Sequence, residues 1–585
     1  MPELKQADSQ VQTPPPSPWW PAVFRVIDWA VAVLLTGVAV FLHARFLLRA
    51  GPFWRDECSG VAVATLASLS EVWSSLAYES FPVLPFLLMR LWWLVGLGGS
   101  DMQWRVLGLL VGVGIVAALW LNKRLVAGSV PVLLLALVAF NPALVRWGDS
   151  IRGYGLGTLL IVLSFGFFFK LTQSPGLLWG ILAGVCSLLA VQSMYQSAVL
   201  LFAIGLGAMA VCIVRRRWKA ALWCCGIGVV CAVSLVPYLP TVRQNQEFMV
   251  VVKREIPFDH YQTVLEHSLT GSEYPAGPAE YSGLPGWFAN HATFMGTLTC
   301  IWVILWGFAV MVGAGALLPT VRRRLNLQQR DLGVYGLVVL AGAPLAFFGF
   351  LSRLSFPTRP WYYVIFIALI GLAIAAVLAL LEGRLAWRMA RAVVAIGIVL
   401  LLFRPLYAQT GIRHTNVDQI AAELEKRAGG EDLIVVNQFY HGITLNRYYQ
   451  GDATVMSLPP LEDLRIHRYD QLKEKLEAPD KAVDPLLSRM AQALRTGGAV
   501  YVIGNLHLPQ GRPAPPFPLP APLGPQGWWW GPYKVYWNYL FVSFIENYAR
   551  QAGPLDLDMV EVKIPDSQRV YSLERPMLIR ISRRR

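Results

Sequence analysis

Apolar runs of about 15–25 residues recur along this chain from its N-terminus to about residue 403. A run of that length is what a helix needs to cross a lipid bilayer, and the repetition leaves few folds open. Of the 585 residues, 55% are hydrophobic and 15% are charged, whereas a soluble domain carries roughly 25% charge. The last ~180 residues change character, becoming polar, proline-rich and mixed in charge. The sequence therefore predicts an α-helical polytopic membrane protein with a C-terminal α/β domain in water. Three segments follow: a disordered cytoplasmic tail over 1–25 (Thr13 to Pro18 reads TPPPSP), a membrane domain over 26–405, and a soluble domain over 406–585.

The net charge of +14 does not point to nucleic acid. Its excess lies in short clusters between apolar runs, where lysine and arginine mark the cytoplasmic side. These are Lys123-Arg124; Arg215-Arg216-Arg217 with Lys219; Arg322-Arg323-Arg324 with Arg330; and Arg384, Arg388 and Arg391. Spans over Val26–Leu48, Val106–Leu121, Val126–Val145, Tyr154–Phe169, Leu177–Val191, Ala198–Val214, Ala220–Leu239, Phe294–Leu318, Val334–Phe350, Tyr362–Leu381 and Ala392–Phe403 put every cluster on one side. This holds only if Phe81–Gly98 does not cross. Pro82 and Pro85 interrupt its start and Arg90 sits in its middle, so it reads as a re-entrant or interfacial helix in a long external loop. The total is about eleven spans, with an uncleaved first span, the N-terminus inside and the C-terminal domain outside. The seven cysteines form no disulfide framework and no zinc spacing; only Cys58 reads as lying in a polar loop.

Against this background Arg55-Asp56-Glu57 stands out. Two adjacent carboxylates beside a bilayer are costly unless they work or pair, and a structural pair with Arg55 or Arg49 is the plain alternative. Other charges lie on the unfavoured outer side. One loop reads Arg146-Trp147-Gly148-Asp149-Ser150-Ile151-Arg152-Gly153-Tyr154. Another holds Arg359-Pro360-Trp361-Tyr362, and a third Arg243, Lys253 and Arg254. Arginine suits a phosphate because its fork binds two oxygens and keeps its charge. Snorkelling to lipid headgroups is the other reading.

In their order, these residues resemble the GT-C superfamily of lipid-linked glycosyltransferases, in particular bacterial relatives of the protein O-mannosyltransferases. Asp56-Glu57 matches the acidic pair after the first span. Glu79 precedes Pro82 and Pro85, a degenerate Pro-Pro-Leu-like start. Arg105 matches an arginine after the re-entrant helix, Arg152-Gly153-Tyr154 an Arg-x-Tyr, and Arg359 with Tyr362 an Arg-Tyr pair carrying two inserted residues. The resemblance covers about residues 25–405.

It implies a sugar transferred from a polyprenyl-phosphate donor to an acceptor glycan, lipid or protein at the outer face of the cytoplasmic (inner) membrane. Asp56 would deprotonate the acceptor. Glu57 would orient substrate or hold Asp56. Glu79, Arg105, Asp149, Arg152, Tyr154, Arg359 and Tyr362 would bind substrate, with the arginines stabilising the departing phosphate. The acidic cluster could hold a divalent cation; metal use stays open. A cell-surface glycan ligase or polymerase and a lipid-linked glycan transporter are the competing classes. A transporter would show midplane charges and an internal repeat, which the chain lacks.

In the soluble domain, Asn416–Arg427 has helical spacing, Leu433–Val436 and Ala499–Ile503 read as core strands, and Tyr571–Leu573 and Met577–Ile579 as further strands. Asp556-Leu557-Asp558 reads as a strand with a polar face rather than a metal motif, and His441 as a loop residue near a strand end. Pro509–Pro525 leads to Trp528-Trp529-Trp530, which caps the site or packs as an ordinary loop.

Overall fold

The computed structural model describes residues 20–127, 130–271, 291–506, 514–565 and 568–584. Most of the expected N-terminal tail and part of the proline-rich loop fall outside them. Among the described residues nine helices are long and apolar enough to cross a membrane: Val23–Arg49, Asp101–Val126, Gly153–Gln173, Ser197–Arg215, Trp218–Val251, Met295–Gly315, Leu327–Leu354, Val364–Leu381 and Leu385–Gln409. Their outer faces carry bare aliphatic side chains; Leu345 is 77% exposed, Leu222 73% and Val393 70%. A surface of that kind is stable only against lipid. The chain is a multi-pass membrane protein. At its centre, every residue of Val364–Leu378 is buried, as expected of a helix that is apolar all round.

The two remaining predicted spans differ from a long helix. Leu177–Ser193 is a 17-residue helix. The Val126–Val145 span is interrupted: Pro131 and Pro142 flank a short helix, Val132–Leu134, and a wide π turn, Leu135–Ala139, before Pro142–Gly148 resumes. Proline removes an N–H and blocks the preceding turn. Burial of the whole segment supplies partners instead: Asn141 accepts from the Leu144 N–H at 2.9 Å and donates to the Ser268 carbonyl at 3.1 Å. This broken rod still runs from the Lys123 end of the bundle to the opposite end, where Asp149 lies.

Phe81–Gly98 contains only an eleven-residue helix, Leu84–Leu94. At 1.5 Å per residue it spans about 17 Å, too short for a hydrocarbon core of about 30 Å. Arg90 in its middle donates to the carbonyls of Ala64, Leu66 and Ala67. Its charge thus caps the C-terminal end of the neighbouring helix, Arg55–Ala64, where the dipole favours a cation.

The basic clusters gather at one end of the bundle. Lys123 pairs with Glu382 at 2.6 Å, Arg391 with Asp28 at 2.7 Å and Glu382 at 3.0 Å, and Arg215 with Asp331. The helices that start or finish in this cluster carry Arg49, Arg105, Tyr362 and Gln409 at their other ends.

Beyond the last long helix a sheet of five strands forms: β1 (Leu433–Asn437), β2 (Thr454–Leu458), β3 (Val500–Ile503), β4 (Leu555–Val560) and β5 (Leu578–Arg583), in the order β2-β1-β3-β5-β4. The first three are parallel, with Ile434 opposite both Val455 and Tyr501; β5 is antiparallel to β3 and β4. Alternate residues face opposite sides. Ile434 and Val436 pack with Ile420 and Leu424, while Leu433 and Val435 pack with Leu486, Met490 and Phe541. The helix over Val417–Arg427 and the Asp556-Asp558 strand are as read from the sequence. Tyr571–Leu573 is not a strand: Ser572–Glu574 is a 3-10 turn, because Glu574 is drawn into a buried contact with Thr444 and the Arg55 N–H. His441 is not a loop residue but opens the helix His441–Tyr448.

Candidate active site

Arg55-Asp56-Glu57 forms the first turn of the Arg55–Ala64 helix, where the backbone N–H groups favour carboxylates. Successive residues on a helix point about 100° apart, and the two acids separate accordingly. Glu57 turns inward and is fully buried. It accepts from both Arg105 Nη atoms at 3.2 and 3.4 Å, from the Ile151 N–H at 3.1 Å and from His414 Nδ1 at 3.2 Å. Burial pushes its pKa up, but the Arg105 guanidinium, His414 and the Ile151 N–H overcome this and hold it at about 2. Arg105 also donates to the Gly51 and Pro52 carbonyls. Both side chains are consumed by the fold, and neither faces open space. Cys58, expected in a polar loop, lies in this helix and is buried.

Asp56 points the other way and keeps 17% of its side chain exposed. Its Oδ1 accepts from His467 Nε2 at 3.2 Å and lies 3.4 Å from Arg55 Nε. Oδ2 has no hydrogen-bond partner among the described residues. Burial opposes ionisation, but the hydrogen bond and charge of His467, with Arg55 and Arg152, hold the carboxyl well below the usual range. Arg152 ties this turn to the next loop: Nη1 donates to the Asp56 carbonyl and Nη2 to Glu79 Oε2, both at 2.8 Å, while Ser59 donates to Glu79 Oε1 at 2.6 Å.

Asp149 is bound by His43 Nδ1 at 2.8 Å and makes no side-chain hydrogen bond to this group among the described residues. Among the described residues no three His, Cys, Asp or Glu side chains are placed to hold a metal ion. Tyr154 and Tyr362 meet edge to face with centroids 6.2 Å apart. Burial, then the Asp56 charge, pushes the Tyr362 hydroxyl up to about 12. Arg359 precedes the Pro360–Tyr362 turn and is partly buried; its side chain makes no hydrogen bond or ion pair among the described residues.

Glu79, Tyr154 and Tyr362 line a cavity of about 500 Å³ whose walls are otherwise mainly apolar, including Phe81, Met194, Val242, Met249 and Leu351. Lys253 and Arg353 complete it. The structure thus joins Asp56, Glu57, Glu79, Arg105 and Arg152 in one network, sets Tyr154 and Tyr362 beside it, and bonds Asp149 to His43 instead. The sequence reading missed the contribution of the C-terminal domain. His414, His467 and Glu574 all reach the Arg55–Glu57 turn. Only His414, in a polar stretch directly after the last span, carried a local signal.

No family model matches the chain, and no curated protein matches it in sequence. Among solved structures, ArnT from Cupriavidus metallidurans bound to undecaprenyl phosphate is 15% identical, over 83% of this chain and 92% of that one, with a TM-score of 0.44. Its apo form is 14% identical, over 83% and 93%, with a TM-score of 0.46. The apo oligosaccharyltransferase of Archaeoglobus fulgidus is 12% identical, over 83% and 70%, with a TM-score of 0.45.

Proposed function

We propose that this chain is a membrane glycosyltransferase of GT-C type. It transfers a hexosyl or pentosyl group from a polyprenyl-phosphate donor to a hydroxyl of an acceptor glycan, lipid or protein. The observation that carries this reading is the pairing of one fixed carboxylate, Asp56, with a large apolar cavity. Arg152 spans from the Asp56 carbonyl to Glu79, which lines that cavity. An apolar cavity suits an isoprenoid chain, and Lys253, Arg353 and Arg359, whose side chain has no partner among the described residues, suit a phosphate.

The bond from the sugar's anomeric carbon to the phosphate oxygen breaks, and its electrons leave with the phosphate. Cationic side chains stabilise that charge. The acceptor oxygen attacks from the opposite face and its proton passes to Asp56 Oδ2. With no covalent sugar–enzyme step, the anomeric configuration inverts. Glu57 and Arg105 position the helix turn and do not touch substrate.

The basic end of the bundle faces the cytoplasm on this reading. The site and the C-terminal domain then lie on the outer side of the cytoplasmic membrane. The test is twofold. Lipid extracts from cells lacking the protein should accumulate a polyprenyl-phosphate sugar. The purified full chain should transfer that sugar, and Asp56→Asn should lower its rate by about 10²-fold or more. A knockout with an unchanged lipid pool and an inactive purified protein would remove the proposal.

A further inference from the structure

The residue that touches the Asp56 carboxylate from outside the membrane domain is His467, 411 positions further along the chain. It sits in the loop between β2 and the helix Tyr469–Glu477, at the carboxyl edge of the parallel strands. That loop is pinned throughout. Ser457 Oγ donates to the Pro459 carbonyl at 2.7 Å and accepts from the Leu461 N–H at 3.0 Å. The Glu462 N–H donates to Gln471 at 2.9 Å, and Ile466 packs on the membrane-domain core. The His467 ring is 7% exposed and lies parallel to Tyr469, centroids 5.7 Å apart. Arg468, next to it, is bonded to Asp470 at 2.6 Å. So rigid a mounting is what a positioning group needs.

We infer that His467 is a positioning residue of the active site, so that the C-terminal domain completes the catalytic centre rather than merely covering it. The hydrogen bond from Nε2–H and the approach of Arg55 both fall on Oδ1 of Asp56. They stop the carboxylate from rotating and leave Oδ2 as the oxygen that meets the acceptor. An acceptor held about 3 Å from a fixed oxygen reacts far faster than one facing a rotating group. The inference rests on the glycosyltransferase reading and adds to it that catalysis requires the docked soluble domain.

The purified full chain and three variants at this position test it, with a polyprenyl-phosphate sugar as donor. His467→Phe keeps the ring on Tyr469 and removes the donor; His467→Ala removes both; His467→Gln returns an N–H near Nε2. Elution profile and Tm confirm folding. Loss of a hydrogen bond to a charged group predicts a fall in kcat of about 10- to 100-fold for Phe and Ala, with donor KM little changed. Gln should regain most of that loss. In an Asp56→Asn background, His467→Phe should cost nothing further. A wild-type rate for His467→Phe would overturn the inference while leaving Asp56 in its role. So would a Gln variant no better than Phe, or a donor KM that rises in step with the fall in kcat. A wild-type chain that transfers no sugar removes the reading, and this inference with it.

Discussion

One turn of helix sends two adjacent acids in different directions. Glu57 has no exposed surface and four hydrogen bonds; Asp56 has one oxygen without a hydrogen-bond partner among the described residues. Their substitutions should therefore fail differently. Asp56→Asn keeps the shape and a hydrogen-bond acceptor for His467, so the protein should melt near the wild-type temperature while transfer falls by about 10²-fold or more. Glu57→Gln leaves the Arg105 charge buried against an amide, which costs about 3–5 kcal/mol. A thermal melt in detergent should show a large drop in Tm for that variant, and an unchanged Tm would mean that the pair is not structural. The arginines divide in the same way. Arg152 is bonded to Glu79, so Arg152→Ala should act through the fold. Arg359 has no such partner among the described residues, and Arg359→Ala should lower donor kcat/KM by roughly 10- to 100-fold with Tm unchanged. Lysine there should recover only part, because it lacks the fork. Unchanged donor kinetics in Arg359→Ala would move the phosphate to Lys253 or Arg353. The acidic pair was legible in the sequence because charge beside a bilayer is conspicuous. Its partners His414 and His467 were not, since no spacing rule connects residues 357 and 411 positions apart.

At the scale of elements, length and composition told most of the story. Long apolar helices follow from the bilayer's thickness, and the short Leu84–Leu94 helix from its prolines and its central arginine. The break in the segment before Asp149 was overlooked because the run is mainly apolar and long enough to span, although Pro131, Asn141 and Pro142 mark it. What lets the loop over 146–152 approach Asp101–Val126 is also small and easily overlooked. Gly112 faces the Asp149 carboxylate, and a Cβ there would lie 2.6 Å from His43 Nδ1. Small residues let membrane helices and loops come close. Gly112→Ala should force Asp149 and His43 apart and cost about 1–3 kcal/mol. Gly37→Ala, on the first long helix with nothing within 4 Å, is the matched control and should leave Tm unchanged or slightly raised. Equal melts for the two variants would mean that the loop does not depend on this close approach.

For the molecule as a whole, the decisive feature is its polarity from end to end. Arg215, Lys123 and Arg391 are paired at one end, in a set that mixes both signs but is flanked by exposed basic residues such as Arg323 and Arg324. The other end meets the C-terminal domain through buried and part-buried polar contacts. Arg447 and Tyr448 hold Asp101 at 2.6 and 2.5 Å, His414 holds Glu57, and the His414 N–H donates to the Ala50 carbonyl. A membrane domain oriented by its basic loops places the flank of Arg323 and Arg324 in the cytoplasm. In the proposed orientation the soluble domain, fixed to the opposite end, lies outside. Leu97, just past the short helix, has to be on that same outer side if Leu84–Leu94 does not cross. Three positions therefore test one arrangement. A reporter fused after Arg585 should read as external, a cysteine replacing Leu97 should react with an impermeant thiol reagent in intact cells, and one replacing Lys219 should not. The wild-type chain already holds Cys225 and Cys300 exposed, so the labelling is done in a background lacking both. A labelled residue 219 with an internal reporter would invert the protein and put Asp56 in the cytoplasm. An external reporter with an unlabelled residue 97 would instead show that the segment over Phe81–Gly98 crosses and that a later helix does not.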